Sequence, residues 1–320
     1  MDLCLLIVGE CWFAMGFEAI KLEDLVTMDN PCAVLDEVKR IVLLMFPDFD
    51  FGPFHNVFRD VLRLFRGEFP GYRKCDIQYH DLKHTTDCLL AMVRLIHGAF
   101  ISGIKISDKD ASLGLIASLL HDTGYIQENG DSTGTGAKYT LVHVKRSIRF
   151  AECYFSSDGY AREDFLNCRN YLECTGLDVR IGELQFDIPE RELLGKMLGA
   201  ADLLGQMANR TYLEKLPFLF REFEEGCVPG FECEFDLISK TPDFWEFSKK
   251  RMLTELGNVD AFMRPHFRVR WGVDRDLYRE AIENNINYLK SVMKNHQGDY
   301  RKHLRRGGLM DLLEEMEEST

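Results

Sequence analysis

The sequence has no uninterrupted apolar run approaching the ~20 residues of a membrane-spanning helix, so no transmembrane segment is expected. It also has no Cys-x-x-Cys pair. Its ten cysteines, at 4, 11, 32, 75, 88, 153, 168, 174, 227 and 233, are scattered, which excludes a zinc ribbon or a dithiol redox motif and leaves reduced thiols in a cytoplasmic setting as the expectation. No stretch alternates polar and apolar residues long enough to argue for a large sheet. Basic residues are the minority charge, 39 against 52 acidic, for a net charge of -13. That balance disfavours extended nucleic acid or an anionic membrane as partner, because both need basic surfaces. The start, MDLCLLIVGECWFAMGF, resembles a secretory apolar region only superficially, since Asp2 and Glu10 stand where such a segment should be basic or apolar.

What is present is the material of a folded chain: 320 residues, 46% hydrophobic and 28% charged. Apolar residues recur at helical spacing over about 33–46, 54–65, 108–120, 139–155, 162–173, 189–208, 210–225, 242–257 and 275–294, with a further helix after Asp76 running to about Phe100. The expected fold class is therefore all-α. A segment 1–75 is expected to pack on a core of 76–225, followed by a helical extension, 226–320. Residues 127–138, QENGDSTGTGAK, form a polar glycine-rich stretch without the lysine and hydroxyl spacing of a P-loop, so a mobile or substrate-adjacent loop is expected. The last twenty residues divide into a basic part around Arg301, Arg305 and Arg306 and an acidic part from Asp311 to Glu318, the pattern of a solvated, self-pairing terminal helix.

Two stretches organise the rest. In Tyr79-His80-Asp81-Leu82-Lys83-His84-Thr85-Thr86-Asp87, a helical reading puts His80, His84 and Asp87 on one face, with Leu82, Leu89, Val93 and Ile96 opposite. In Leu119-Leu120-His121-Asp122-Thr123-Gly124-Tyr125, an apolar run ends on His121 and Asp122 just before a glycine, where a packed helix opens into a loop. A third candidate is Asp202, a lone carboxylate within LLGKMLGAADLLGQM. It is costly there unless it is metal-bound, caps a helix, or pairs with Lys196 or Arg210. Imidazole and carboxylate donors converging from separate elements suit Zn, Mn, Fe, Co or Ni.

The order of these motifs resembles the HD superfamily of metal-dependent phosphohydrolases, over roughly residues 76–225, and within it the bacterial branch related to cyclic nucleotide phosphodiesterases. The resemblance implies an all-helical bundle with one or, more in keeping with the family, two divalent cations (Mn, Zn, Fe, Ni, Co or Mg). His84, His121, Asp122 and Asp202 would bind the first metal, and Asp122 would bridge to the second. His80 would protonate the leaving oxygen, after a hydroxide bridging the metals has attacked phosphorus. Asp87 would orient an imidazole, and His143 would touch the second metal or the phosphate. Lys83, Lys145 and Arg146, with Arg180, are candidate phosphate contacts. Two departures stand out: Asp81 where related phosphodiesterases have Asn, and Val144 where the bacterial branch often has Glu. The implied partner is a small anionic phosphate ester, with a homo-oligomer left open. The alternatives are a di-iron oxygenase of the same superfamily, which would need more histidine ligands, and a non-catalytic metal- or nucleotide-binding regulator.

Overall fold

Local sequence sets the helix starts. Asn30 accepts from Cys32 N at 2.9 Å with Pro31 behind it, Asp81 Oδ1 accepts from His84 N at 2.8 Å, Ser107 Oγ accepts from Asp110 N at 3.0 Å, and Pro189 opens a later helix. A computed structural model describes residues 20–318. Among them run thirteen α-helices: α1 Pro31–Met45, α2 Gly52–Arg66, α3 Leu82–Ile101, α4 Asp108–Leu120, α5 His143–Ser157, α6 Arg162–Glu173, α7 Pro189–Met207, α8 Tyr212–Glu225, α9 Glu234–Thr254, α10 Met263–Trp271, α11 Leu277–Asn295, α12 Tyr300–Leu304 and α13 Leu309–Glu318. The described residues contain no strand, only an isolated antiparallel bridge between Tyr72 and Glu128. The fold is an all-α bundle. No helix among the described residues is long and apolar enough to cross a membrane. The N-terminal apolar stretch weighed as a leader lies outside the described residues.

Helix α3 is the axis. Every residue from His84 to Ala99 is buried, because α1, α4, α7 and α10 pack around it. One apolar cluster extends from Ile20 to Leu304, each fully buried Leu, Ile or Val contributing about 1.5–3 kcal/mol relative to exposure.

Three expectations need correction. Helix α3 begins at Leu82, with Asp81 as its cap, so His80 precedes the helix instead of riding its face. Helix α9 begins at Glu234, eight residues before the expected 242, because Pro242 is accommodated inside it. Proline costs one backbone bond there, and the buried Leu237, Ile238 and Trp245 hold the helix on both sides. The glycine-rich stretch is tied down, not loose: Thr135 N and Oγ1 both donate to the Glu225 carboxylate, at 2.5 and 2.6 Å, and Lys138 and Tyr139 both donate to Asp131.

At the C-terminus, Arg301 pairs with Glu317 at 3.0 Å, and Arg305 with Asp311 and Glu314, the expected basic-to-acidic pairing. The helix is not simply solvated, since Met310 and Leu313 are buried against Phe218 of α8.

Candidate metal centre

His84 sits in the first turn of α3, His121 caps the end of α4, Asp122 follows it into a tight turn, and Asp202 comes from α7. Glycine permits the close approaches. A Cβ on Gly205 would lie 3.0 Å from the backbone at Asp87 and Cys88, so its absence lets α7 press Asp202 toward His84. A Cβ on Gly124 would lie 2.0 Å from the His143 carbonyl, so only glycine admits α5 against the turn that carries Asp122.

His84 Nε2 lies 3.2 Å from His121 Nε2, 3.1 Å from Asp122 Oδ2 and 3.1 Å from Asp202 Oδ1. His121 Nε2 lies 3.2 Å from Asp122 Oδ2 and 3.7 Å from Asp202 Oδ1. Donors on a tetrahedral cation with bonds of ~2.0–2.1 Å stand about 3.3 Å apart, so the spacing of His84, His121 and Asp122 fits a bound metal, with Asp202 reaching it from the side of the two imidazoles. Although Asp122 Oδ2 has two imidazole nitrogens at ion-pair distance, it receives no aligned hydrogen bond. The two Nε2 atoms and the Asp122 carboxylate thus face one small volume.

Tautomers agree with this. His121 Nδ1 donates to Ser118 O at 2.8 Å, which turns its Nε2 to the cluster, where a proton or a cation can sit. Burial alone would push His84 down, but the Asp122 and Asp202 carboxylates outweigh it and hold the group at about 9. His121 is likewise raised against its burial, chiefly by Asp122. Burial would push both carboxylates up, and the two imidazoles instead hold Asp122 and Asp202 below the ordinary range. Protons thus stand where a divalent cation would balance the same carboxylates.

Lys196 pairs with Glu192 and Arg210 with Glu23, so neither offsets Asp202. Its Oδ1 accepts from Gln206 Nε2 at 3.2 Å, and Gln206 Oε1 accepts from the Tyr79 hydroxyl at 2.6 Å.

Two more histidines border the cluster. His143 Nε2 points to Asp122 Oδ1 at 3.8 Å, while its Nδ1 donates to Thr140 O at 2.6 Å. Burial lowers His143 from its ordinary value, so its Nε2 lone pair is available at neutral pH. His80 lies flat against Tyr125, centroids 4.5 Å apart, and its Nδ1 is 2.6 Å from Glu222 Oε2. The other Glu222 oxygen accepts from Tyr79 N at 2.7 Å. His80, His143 and Asp202 are partly exposed, whereas His84, His121 and Asp122 are buried, so the opening lies on the side of the first three.

Most other candidates are engaged elsewhere. Asp87 reaches no imidazole. Its carboxylate accepts from Lys83 Nζ at 3.2 Å and Asn209 Nδ2 at 2.5 Å, and the expected role of orienting a histidine is withdrawn because α3 turns it toward α7 and away from the cluster. Lys83 is held between Asp87 and Asp29, each at 3.2 Å, and is not a free phosphate contact. Arg146 donates to the carbonyls of Gly124 and Ile126 at 2.7 and 3.0 Å and covers the Tyr139 ring, so it braces the turn after Asp122. Lys145 is exposed, and Arg180 pairs with Glu183 at the surface. The charge of Asp81 is met by Lys215 Nζ at 2.8 Å, which removes the negative charge expected near a substrate.

Glu222, Ser147, Gln206 and Lys215 escaped the sequence reading. Ser147 Oγ donates to His121 O at 2.5 Å and accepts from Gly124 N at 2.9 Å, clasping the His-Asp turn from α5. It stands one turn after His143, the only cue available. A cavity of about 630 Å³ opens along α4 from Asp108 to Ile116, walled on its other sides by Phe49 and Tyr160. It holds no part of this cluster.

Fold and site together define a helical bundle built around a candidate metal centre. The chain belongs to the Npun_R2479-like family, whose model matches residues 68–254, more than half of it. That span holds all four donors with His80, His143 and Glu222, and ends before α10. Among curated proteins none matches the chain.

Proposed function

We propose that this protein is a metal-dependent phosphohydrolase of the HD type, acting on a phosphodiester or nucleotide-like phosphate ester. The observation that carries the reading is the convergence of His84, His121 and Asp122 at the spacing of ligands on one cation, with Asp202 Oδ1 3.1 Å from His84 Nε2 and His80 beside them and outside the set. When bound there, divalent cations supply Lewis acidity toward phosphoryl oxygens and acidify water near neutral pH.

The chain's own groups divide the remaining work. Asp122 turns Oδ2 to His84 and His121 and Oδ1 to His143, so one carboxylate faces two positions. His143 brings a neutral imidazole to the second of them. Glu222 fixes His80 through Nδ1, leaving Nε2 to carry a proton to the departing alkoxide. Tyr125 holds the His80 ring plane by stacking. Lys83, Lys215 and Arg146 are committed elsewhere, so imidazoles, cations and the exposed Lys145 are left to balance the substrate's charge.

Of the later histidines, His266 pairs with His97 in the core and His296 with His303 at the surface, so none of these three adds a ligand at the cluster for the oxygenase alternative. Elemental analysis of the purified protein, joined to a hydrolysis screen of phosphomonoesters, nucleotides and cyclic nucleotides, tests the proposal. The expected result is turnover of at least one class in proportion to bound metal. Oxygen uptake with bound iron and no phosphate release would favour the oxygenase, and bound metal without turnover a regulator.

A further inference from the structure

The two histidines nearest the C-terminus converge on one carboxylate, in a stretch beyond the family match. His296 closes α11, Asp299 precedes α12, and His303 lies within it. Asp299 Oδ1 is 3.9 Å from His296 Nδ1 and 3.6 Å from His303 Nε2, and the two imidazole rings stack with centroids 3.7 Å apart. Backbone bonds set this arrangement. Asp299 N donates to His296 O at 3.2 Å, Lys302 N to Asp299 O at 3.0 Å, and the Tyr288 hydroxyl to His303 O at 2.7 Å. The neighbouring Arg301 is taken up by Glu234 and Glu317, so its charge is met locally.

Ligand atoms on a tetrahedral cation stand about 3.3 Å apart for bonds of ~2.0–2.1 Å, so the His303 nitrogen must close on Asp299 by about 0.3 Å and the His296 nitrogen by about 0.6 Å, with the stacked rings turning to face one point. His296 and Asp299 are exposed and His303 partly so, and such side chains make that adjustment without disturbing a core. Two imidazoles with one carboxylate suit a borderline cation, whereas magnesium and calcium prefer oxygen donors throughout. We propose that His296, Asp299 and His303 form a second, solvent-exposed site for a zinc-class divalent cation, with water completing its coordination.

Such a cation clamps the end of α11 to α12, and so steadies the segment that follows. That segment lies on α8: Glu214 accepts from Arg306 N and Gly307 N, both at 2.6 Å, and Arg221 pairs with Glu317 at 2.9 Å. Helix α8 also carries Lys215 and Glu222, which hold Asp81 and His80. The exposed site therefore braces the helix that positions the candidate proton donor.

The test is equilibrium dialysis of the full-length protein against zinc, with bound metal counted in wild type and in the His296→Ala/His303→Ala double variant. Wild type is expected to hold one equivalent more than the variant, and zinc to slow amide exchange across residues 296–318 in wild type alone. Equal zinc content in the two proteins, or equal slowing of exchange, overturns the site. Neither readout uses turnover, so failure of the buried centre to hydrolyse phosphate esters leaves this result intact.

Discussion

Helix α3 carries two buried histidines that meet a second imidazole, and the two pairs differ in one respect. His84 and His97 are each 3% exposed, and the facing nitrogens are 3.2 Å apart in the His84–His121 pair and 3.0 Å apart in the His97–His266 pair. The first pair faces Asp122 and Asp202, which hold it charged. The second faces guanidinium groups. Burial, then Arg270, pushes His97 down to about 4, and burial, then Arg94, pushes His266 well below its ordinary range. Arg94 is itself fully buried, donates to the Tyr278 hydroxyl at 3.0 Å and lies over the Phe267 and Tyr278 rings. Equal burial and equal spacing thus give opposite sites: carboxylate neighbours make a place for a cation, and guanidinium neighbours make a neutral structural contact.

The hardest way to break this comparison is to remove the carboxylate. Asp122→Ala should lose tightly bound metal and bring hydrolysis down to background, whereas His97→Ala should keep the metal of the wild type, both read by elemental analysis. A purified Asp122→Ala protein with wild-type metal and turnover would put the site elsewhere. His80→Asn should keep metal and lose ~100 to 10,000-fold on a sugar-phosphate ester, and far less on a p-nitrophenyl ester, whose leaving group needs little protonation. Equal losses on both substrates would make His80 a phosphate-positioning group, and loss of metal would make it a ligand.

Glu222→Gln sits one step further out. It should keep metal and cost roughly 10 to 100-fold, again more on the poor leaving group than on the good one. The His97–His266 pair is sharpened by pH. Between the ordinary histidine value of 6.5 and about 4 the unfolded chain binds protons that the folded chain refuses, so stability should be full above pH 6.5 and fall as the pH drops through that window. His97→Gln should remove about 1–2 kcal/mol of that fall, measured as the shallower pH dependence of the denaturation midpoint. Cys227→Ser and Cys233→Ser are the smallest changes, under ~0.5 kcal/mol in stability and none in metal content, since both thiols are exposed.

The helices were legible wherever apolar spacing was regular, as in α1, α2, α7 and α11. The misreadings have local causes. Asp81 reads as one more helical residue unless its capping bond to His84 N is known, so the pattern places His80 on a helix that starts after it. Pro242 reads as a boundary, and only the burial of its neighbours reveals a helix running through it. Among the site residues, His84, His121, Asp122 and Asp202 come together as a set because a carboxylate in an apolar helix and a His-Asp pair at a helix end are both costly without a partner. Asp87 carried the same signal and found Lys83 and Asn209 instead. Glu222 and Lys215 were illegible because they reach the motif from more than 130 residues away, on a helix with no motif of its own.

The most direct measurement is stepwise reconstitution of metal-stripped full-length protein with manganese, following phosphate-ester hydrolysis against metal bound, in wild type and Asp122→Ala. The buried cluster as catalytic centre predicts turnover that rises with occupancy in wild type and stays at background in the variant at every metal level. Turnover in the stripped protein, or equal turnover in both proteins at equal metal, would contradict it.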